Sequence, residues 1–200
     1  MTPEQIGQQY NEIATWWHER HQTSQYGVNQ VKHALDIHQK RGGLALDVGC
    51  GSGGRFIHLL EQNAYQVTGV DVSEQMISLA QKHHHQAKFI HADICQWQPP
   101  QPFDFIMAWD SIFHLPLEQQ KPVIDKLCQN LVPGGVIIYT FGDAEGAHSD
   151  TWLSREFYYS SIGINQNITQ LMTNGLTIKH LSLDQYPQPH VFVVAQKTKN

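Results

Sequence analysis

Two spacings of apolar residues alternate along this chain. Short apolar runs at 44–48, 65–71, 89–94, 103–109 and 136–141 read as strands, and stretches of helical periodicity at 55–62, 73–83 and 117–130 each follow one of them. A strand feeding a helix that returns to a further strand is the unit of a right-handed crossover. The pattern therefore predicts an α/β protein with a doubly wound sheet and helices on both faces. Two last runs, 176–183 and 191–196, are joined by a short loop and predict a closing hairpin.

Ahead of this core, Thr2-Pro3-Glu4-Gln5 has the form of a capping box with proline at the first helical position. Tyr10, Ile13, Ala14 and Trp17 then share one helical face. A second helix is expected over 25–41, stopped by Gly42-Gly43. Tyr10, Trp16 and Trp17 make the first helix more aromatic than a surface helix requires. The expectation is one domain over 1–200, with 1–41 a helical lid on an α/β core at 42–200, and with Tyr10 or Trp16 facing the site.

Composition narrows the class. A chain of 200 residues that is 40% hydrophobic can bury a core without disulfides or metal. A net charge of −5, with only 13 Lys and Arg, gives no general attraction to nucleic acid. No apolar run approaches a membrane span and the N-terminus has no leader pattern. Cys50, Cys95 and Cys128 are odd in number and far apart, as expected of reduced thiols. Together these features lead us to expect a cytoplasmic protein, its oligomeric state left open between monomer and dimer.

The chemistry starts where the first strand meets Gly49-Cys50-Gly51-Ser52-Gly53-Gly54. Glycines let the backbone turn sharply and approach a ligand, and the helix that follows presents unpaired N–H groups. Asp47 adds a negative charge at the strand end, which repels a pyrophosphate and suits a cationic amino-acid group. Asp71 closes the second strand 20 residues after Gly51, where an acid can accept from a ribose diol. Asp93 closes the third expected strand, placed to accept from an adenine amino group. Gly49, Gly51 and Gly54 alone also satisfy the GxGxxG of nicotinamide and flavin binders.

Taken in order, residues 46–53, Val70-Asp71, Ala92-Asp93 and Leu131-Val132-Pro133-Gly134-Gly135 resemble the serial motifs of class I S-adenosylmethionine-dependent methyltransferases, a likeness that runs from about Gly42 to Lys197. The resemblance implies a Rossmann-like, seven-stranded sheet, parallel except for the last strand, and S-adenosyl-L-methionine as cofactor. It places Asp47, Gly49, Cys50, Gly51, Asp71, Val72, Met76, Asp93, Ile94, Trp109 and Asp110 at the cofactor. An Asn/Asp-Pro-Pro-Tyr/Phe motif after the fourth strand, used in nucleic-acid amino methylation, is replaced by Trp109-Asp110-Ser111-Ile112. The implied activity is methyl transfer to a small-molecule acceptor, with no nucleic-acid or membrane partner. A nucleotide-cofactor oxidoreductase and a non-catalytic binding module stay open as alternatives.

For the acceptor, the expected sheet brings the loops after strands four and five and the loop between strands six and seven to one edge. Tyr10, Trp16, His114, His148, Tyr158, Tyr159, Tyr186 and His190 are the candidate acceptor-site residues, with His114 and His190 candidate catalytic bases. His83-His84-His85 points three ways from a helix end and reads as solvated, so no metal site is expected.

Overall fold

A computed structural model describes residues 1–199. Thr2 caps the first helix, α1 (Pro3–His21), with both bonds of the capping box made: Gln5 N donates to Thr2 Oγ1 and Thr2 N to Gln5 Oε1. The second helix, α2 (Val28–His38), is shorter than the apolar pattern suggests. Residues 25–27 form a turn, closed by Val28 N donating to Gln25 O, and Gln39 takes the left-handed conformation that ends the helix three residues before Gly42. Neither signal is legible, since a left-handed glutamine has no compositional mark.

The core strands and helices are β1 (Gly43–Val48), α3 (Arg55–Gln62), β2 (Tyr65–Asp71), α4 (Glu74–His83), β3 (Lys88–His91), β4 (Phe103–Ala108), α5 (Leu117–Gln129), β5 (Leu131–Gly142), α6 (Gly163–Thr173), β8 (Leu176–Leu183) and β9 (His190–Lys197); β6 (Glu145–Trp152) and β7 (Arg155–Ile162) stand apart. The sheet order is β3-β2-β1-β4-β5-β9-β8. All neighbours are parallel except β9, which is antiparallel to both β5 and β8. The order reverses direction between β1 and β4, and in such sheets a ligand crevice opens there, beyond the carboxyl ends of the strands.

Successive residues of the central strands feed opposite layers. Leu46, Ile106 and Ile137 pack with α5 and α6, whereas Ala45, Phe105 and Val136 pack with α2, α3 and Ile77 and Ala80 of α4. The second helix is therefore a packing element on a sheet face, and only α1 from the expected lid reaches over the strand ends. α1 lies so close to the β2–α4 loop that a Cβ on Gly7 would stand 2.6 Å from the Val72 carbonyl oxygen. Asn11 Oδ1 ties it down by accepting from Ser73 Oγ and Gln75 N.

Two expectations fail here. The third strand stops at His91, so Asp93 sits in the following turn, its carboxylate accepting from Cys95 N at 2.8 Å. The stretch after Gly142 is not simply a loop: β6 and β7 form a hairpin through Leu153 and Ser154, both left-handed, before α6 begins. Every residue of β6 is exposed, which erases the alternation that marks a half-buried strand.

Candidate functional site

The eleven residues that the resemblance places at the cofactor all line one cavity over the β1/β4 switch point, joined by Tyr10, Trp17 and His21 from α1, Arg55 at the start of α3, and Ser111 and His114 after β4. The glycine turn has a protein side and an open side. A Cβ at Gly49 would lie 2.2 Å from Ser111 Cβ, while at Gly51 the nearest atom would be Trp17 Nε1 at 3.8 Å. Gly51 has φ +54 and its N–H donates to Asp71 Oδ2 at 2.7 Å. Asp71 Oδ1 accepts from Ser73 N at 2.8 Å, so one carboxylate braces both the turn and the cap of α4. Burial raises the Asp71 pKa, opposed by these backbone donors.

Asp47 is 3% exposed and makes no side-chain hydrogen bond among the described residues. Burial first, and the charge of Asp71 second, push its carboxyl up to about 7. Asp110, after β4, is held differently. It adopts φ +52, and its Oδ1 accepts from Thr140 Oγ1 at 3.3 Å and pairs with His190 Nε2 at 2.8 Å. The other ring nitrogen of His190 meets Asp184 Oδ1 at 2.5 Å. Burial alone lowers the His190 pKa, but its bonds to the two carboxylates outweigh that and raise it. His190 thus stands behind Asp110, outside the cavity lining, and its nitrogens are committed to carboxylates: it orients Asp110 and is not placed as a base.

His114 lines the cavity with both ring nitrogens engaged. Nδ1 is 2.8 Å from the Tyr158 carbonyl oxygen, which can only accept, so Nδ1 carries the proton. Nε2 is then the lone pair that receives the Tyr10 hydroxyl at 2.9 Å. Burial lowers the His114 pKa to about 4, so the ring is a neutral acceptor at ordinary pH.

The other acceptor-side expectations are displaced. Tyr158 contributes its carbonyl through His114, not its ring to the cavity. Tyr159 packs on His114 at 4.9 Å, and the exposed His148 stacks on the Tyr159 ring at 5.4 Å. Trp16 faces away from the cavity onto Trp152, at 5.2 Å, and the next residue, Trp17, takes the position expected of it. Tyr186 is 86% exposed. These corrections have two causes: strand and helix phase decide facing, and β6 of the β6–β7 hairpin, exposed throughout, carries no apolar alternation.

The histidine run also departs from its sequence reading. His83 and His85 are exposed, but His84 is buried and its Nε2 accepts from Gly54 N at 2.8 Å, so it caps the glycine turn. His58, Glu61 and His84 offer atoms close enough together for a metal. Because the Nε2 lone pair already accepts the hydrogen bond from Gly54 N–H, neutral His84 must carry its own proton on Nδ1, the atom nearest Glu61 at 3.9 Å. That makes Nδ1 a donor and not a ligand.

Arg55 and Tyr26 were missed. Tyr26 sits in the turn before α2, and its carbonyl oxygen accepts from Arg55 Nε at 2.6 Å. The arginine next to the glycine turn was the available signal.

Residues 45–135 match a family model described as a methyltransferase domain. A trans-aconitate 2-methyltransferase of Rhizobium leguminosarum bv. trifolii (strain WSM2304) is 31% identical over 119 residues, covering 54% of this chain and 46% of that protein. Phosphoethanolamine N-methyltransferase 3 of Arabidopsis thaliana is 35% identical over 121 residues, covering 57% of this chain and 24% of its own length. The match thus spans less than half the length of these curated relatives. A solved structure described as a DhpI–SAH complex shares the fold with a TM-score of 0.74, over 98% of this chain and 97% of the other, at 18% identity.

Proposed function

We propose that this chain is a class I S-adenosylmethionine-dependent methyltransferase, as the family match over 45–135 and the named relatives support, and that it transfers a methyl group to a small-molecule acceptor. The observation that carries the reading is the uncrowded face of the glycine turn: a Cβ on Gly51 would meet only Trp17 Nε1, at 3.8 Å, and a buried, unpartnered Asp47 lines the same cavity. These residues fit the cofactor by donor type. Asp47 suits an ammonium, Asp71 a ribose diol, and Asp93 with Ile94 and Met76 an adenine edge and face. When bound, S-adenosylmethionine supplies an electrophilic methyl on a sulfonium.

The chain's own residues then have three tasks. Alignment comes from the glycine turn and from Asp110, fixed by His190; holding reactants at near-attack distance supplies roughly 7–11 kcal/mol in favourable cases. Water exclusion comes from α1, whose Ile6, Tyr10 and Trp17 cover the cavity. Proton removal falls to the Tyr10–His114 pair. The Tyr10 oxygen takes the acceptor's proton as its own proton passes to His114 Nε2, and Nδ1–H stays on the Tyr158 carbonyl. The relatives named for trans-aconitate and phosphoethanolamine support a small acceptor. The net charge of −5 supports the same choice over nucleic acid. The reading extends to a single domain over 1–200 with α1 as its lid. It also places the protein in the cytoplasm, in keeping with three free cysteines; no described helix is long and apolar enough to cross a membrane.

Calorimetry with S-adenosylhomocysteine and with NADH, followed by assay of S-adenosylhomocysteine release over a panel of small acceptors, tests this. Binding of the first ligand and acceptor-dependent release are expected. Binding of NADH in its place points to an oxidoreductase, and tight S-adenosylhomocysteine binding with no turnover on any acceptor points to a binding module.

A further inference from the structure

Arg55 brings a charge into the cavity that the protein does not answer. It is the first residue of α3 and lines the cavity. Its orientation is set by Nε–H donating to the Tyr26 carbonyl at 2.6 Å and by the Phe56 ring 4.2 Å from the guanidinium carbon. Beyond that bond, the guanidinium makes no further hydrogen bond and no ion pair among the described residues. Asp110 and Asp47 lie in the same cavity and their charges act on Arg55, but neither carboxylate comes within ion-pair distance of it, and Asp110 Oδ1 instead meets His190, Thr140 and the Tyr26 hydroxyl. Withdrawing a guanidinium from water without a paired anion is costly, and a group fixed in that state is preorganised for an anion that arrives with a ligand.

We propose that Arg55 is the oxyanion subsite of this cavity, its terminal nitrogens taking a carboxylate or phosphate of the bound ligand. The geometry suits a forked pair, since Nε is already occupied and the remaining N–H groups project as a planar donor set. Only the source of the anion rests on the methyltransferase reading. The anion is either the α-carboxylate of the cofactor, whose ammonium would go to Asp47, or an acidic group on the acceptor.

The experiment separates the two sources. Binding of S-adenosylhomocysteine and of its decarboxylated analogue is measured by calorimetry on the wild type, Arg55→Met and Arg55→Lys. Malonate and inorganic phosphate are then titrated into each protein, with and without S-adenosylhomocysteine. If the cofactor supplies the anion, the wild type prefers the carboxylated ligand by about ten- to a hundredfold, Arg55→Met abolishes the preference, and Arg55→Lys keeps part of it. If the acceptor supplies it, the wild type saturates with malonate or phosphate in the presence of S-adenosylhomocysteine and Arg55→Met does not. A wild type that neither prefers the carboxylated ligand nor binds the small anions overturns the subsite without any variant. So does an Arg55→Met protein, folded by its melting curve, that behaves like the wild type in both arms. Should the wild type bind no adenosyl ligand at all, the methyltransferase reading fails, while the malonate and phosphate titrations of the free protein still decide Arg55.

Discussion

The Tyr10 hydroxyl oxygen lies 2.9 Å from His114 Nε2, a bond that spans 104 positions of sequence and joins α1 to the turn after β4. Because His114 Nδ1 is bound to a carbonyl oxygen, the phenol and the imidazole share one proton path and act as a unit. His114→Asn and Tyr10→Phe are each expected to lower kcat by about 10²-fold or more on an acceptor that must lose a proton. The double variant should be little worse than either single one. With saturating cofactor, the acid limb set by His114 should lie near pH 4, since burial holds its pKa at about 4. A limb near 6.5, or additive losses, would show that the two residues do not work together.

Asp47 is expected to make cofactor binding depend on pH. Its carboxyl is raised to about 7 by burial, so it is ionised, and able to hold an ammonium, only above that pH. Affinity for S-adenosylhomocysteine should weaken about five- to tenfold as pH falls from 7.5 to 6, by proton linkage. In Asp47→Asn this dependence should disappear, and calorimetry at the two pH values decides it.

Asp71 is both a ligand candidate and a brace, because its two oxygens already accept from Gly51 N and Ser73 N. Asp71→Asn should therefore weaken cofactor binding by about 1.5–3 kcal/mol and also lower the melting temperature. An unchanged affinity in a folded variant removes Asp71 from the ribose position.

The two sides of the glycine turn predict opposite phenotypes. Gly51→Ala adds a methyl whose nearest neighbour is Trp17 Nε1, at an uncrowded 3.8 Å, so its cost to stability should be limited to the left-handed strain of about 1–2 kcal/mol, while cofactor binding is lost. Gly49→Ala drives a Cβ into Ser111 and should destabilise the fold itself. Thermal melts with and without S-adenosylhomocysteine distinguish the two; a Gly51→Ala protein that binds normally would remove the turn from the cofactor site.

His190 is bound to Asp110 and Asp184, so His190→Gln should act through the placement of Asp110. Turnover is expected to fall while the acid limb assigned to His114 stays in place. A shift of that limb in the His190 variant would restore His190 as a titrating participant.

The sheet and the residues of the glycine turn that line the cavity were legible because they rest on local chemistry. The Tyr65–Asp71 strand, the Arg55–Gln62 helix and the Ser73 cap each follow from residues within one or two turns of one another, and strand ends carry Asp47 and Asp71 to a position that topology dictates. Facing and pairing across the chain were not local. Whether Trp16 or Trp17 meets the cavity depends on the docking angle of α1 against Val72. That His114 offers Nε2 as its lone pair depends on a carbonyl of β7, a strand whose fully exposed partner and left-handed Leu153-Ser154 turn left no hydrophobic period to read. His190 looked like a base from its loop and became an anchor because two carboxylates, 80 and 6 residues away, close on it. Sequence by itself determined which backbone would form the glycine turn at the cavity, since propensity and glycine conformation are properties of short segments. Only the tertiary structure decided which side chains share protons and which charge is left unpaired, since those follow from distances between segments that the chain's order does not set.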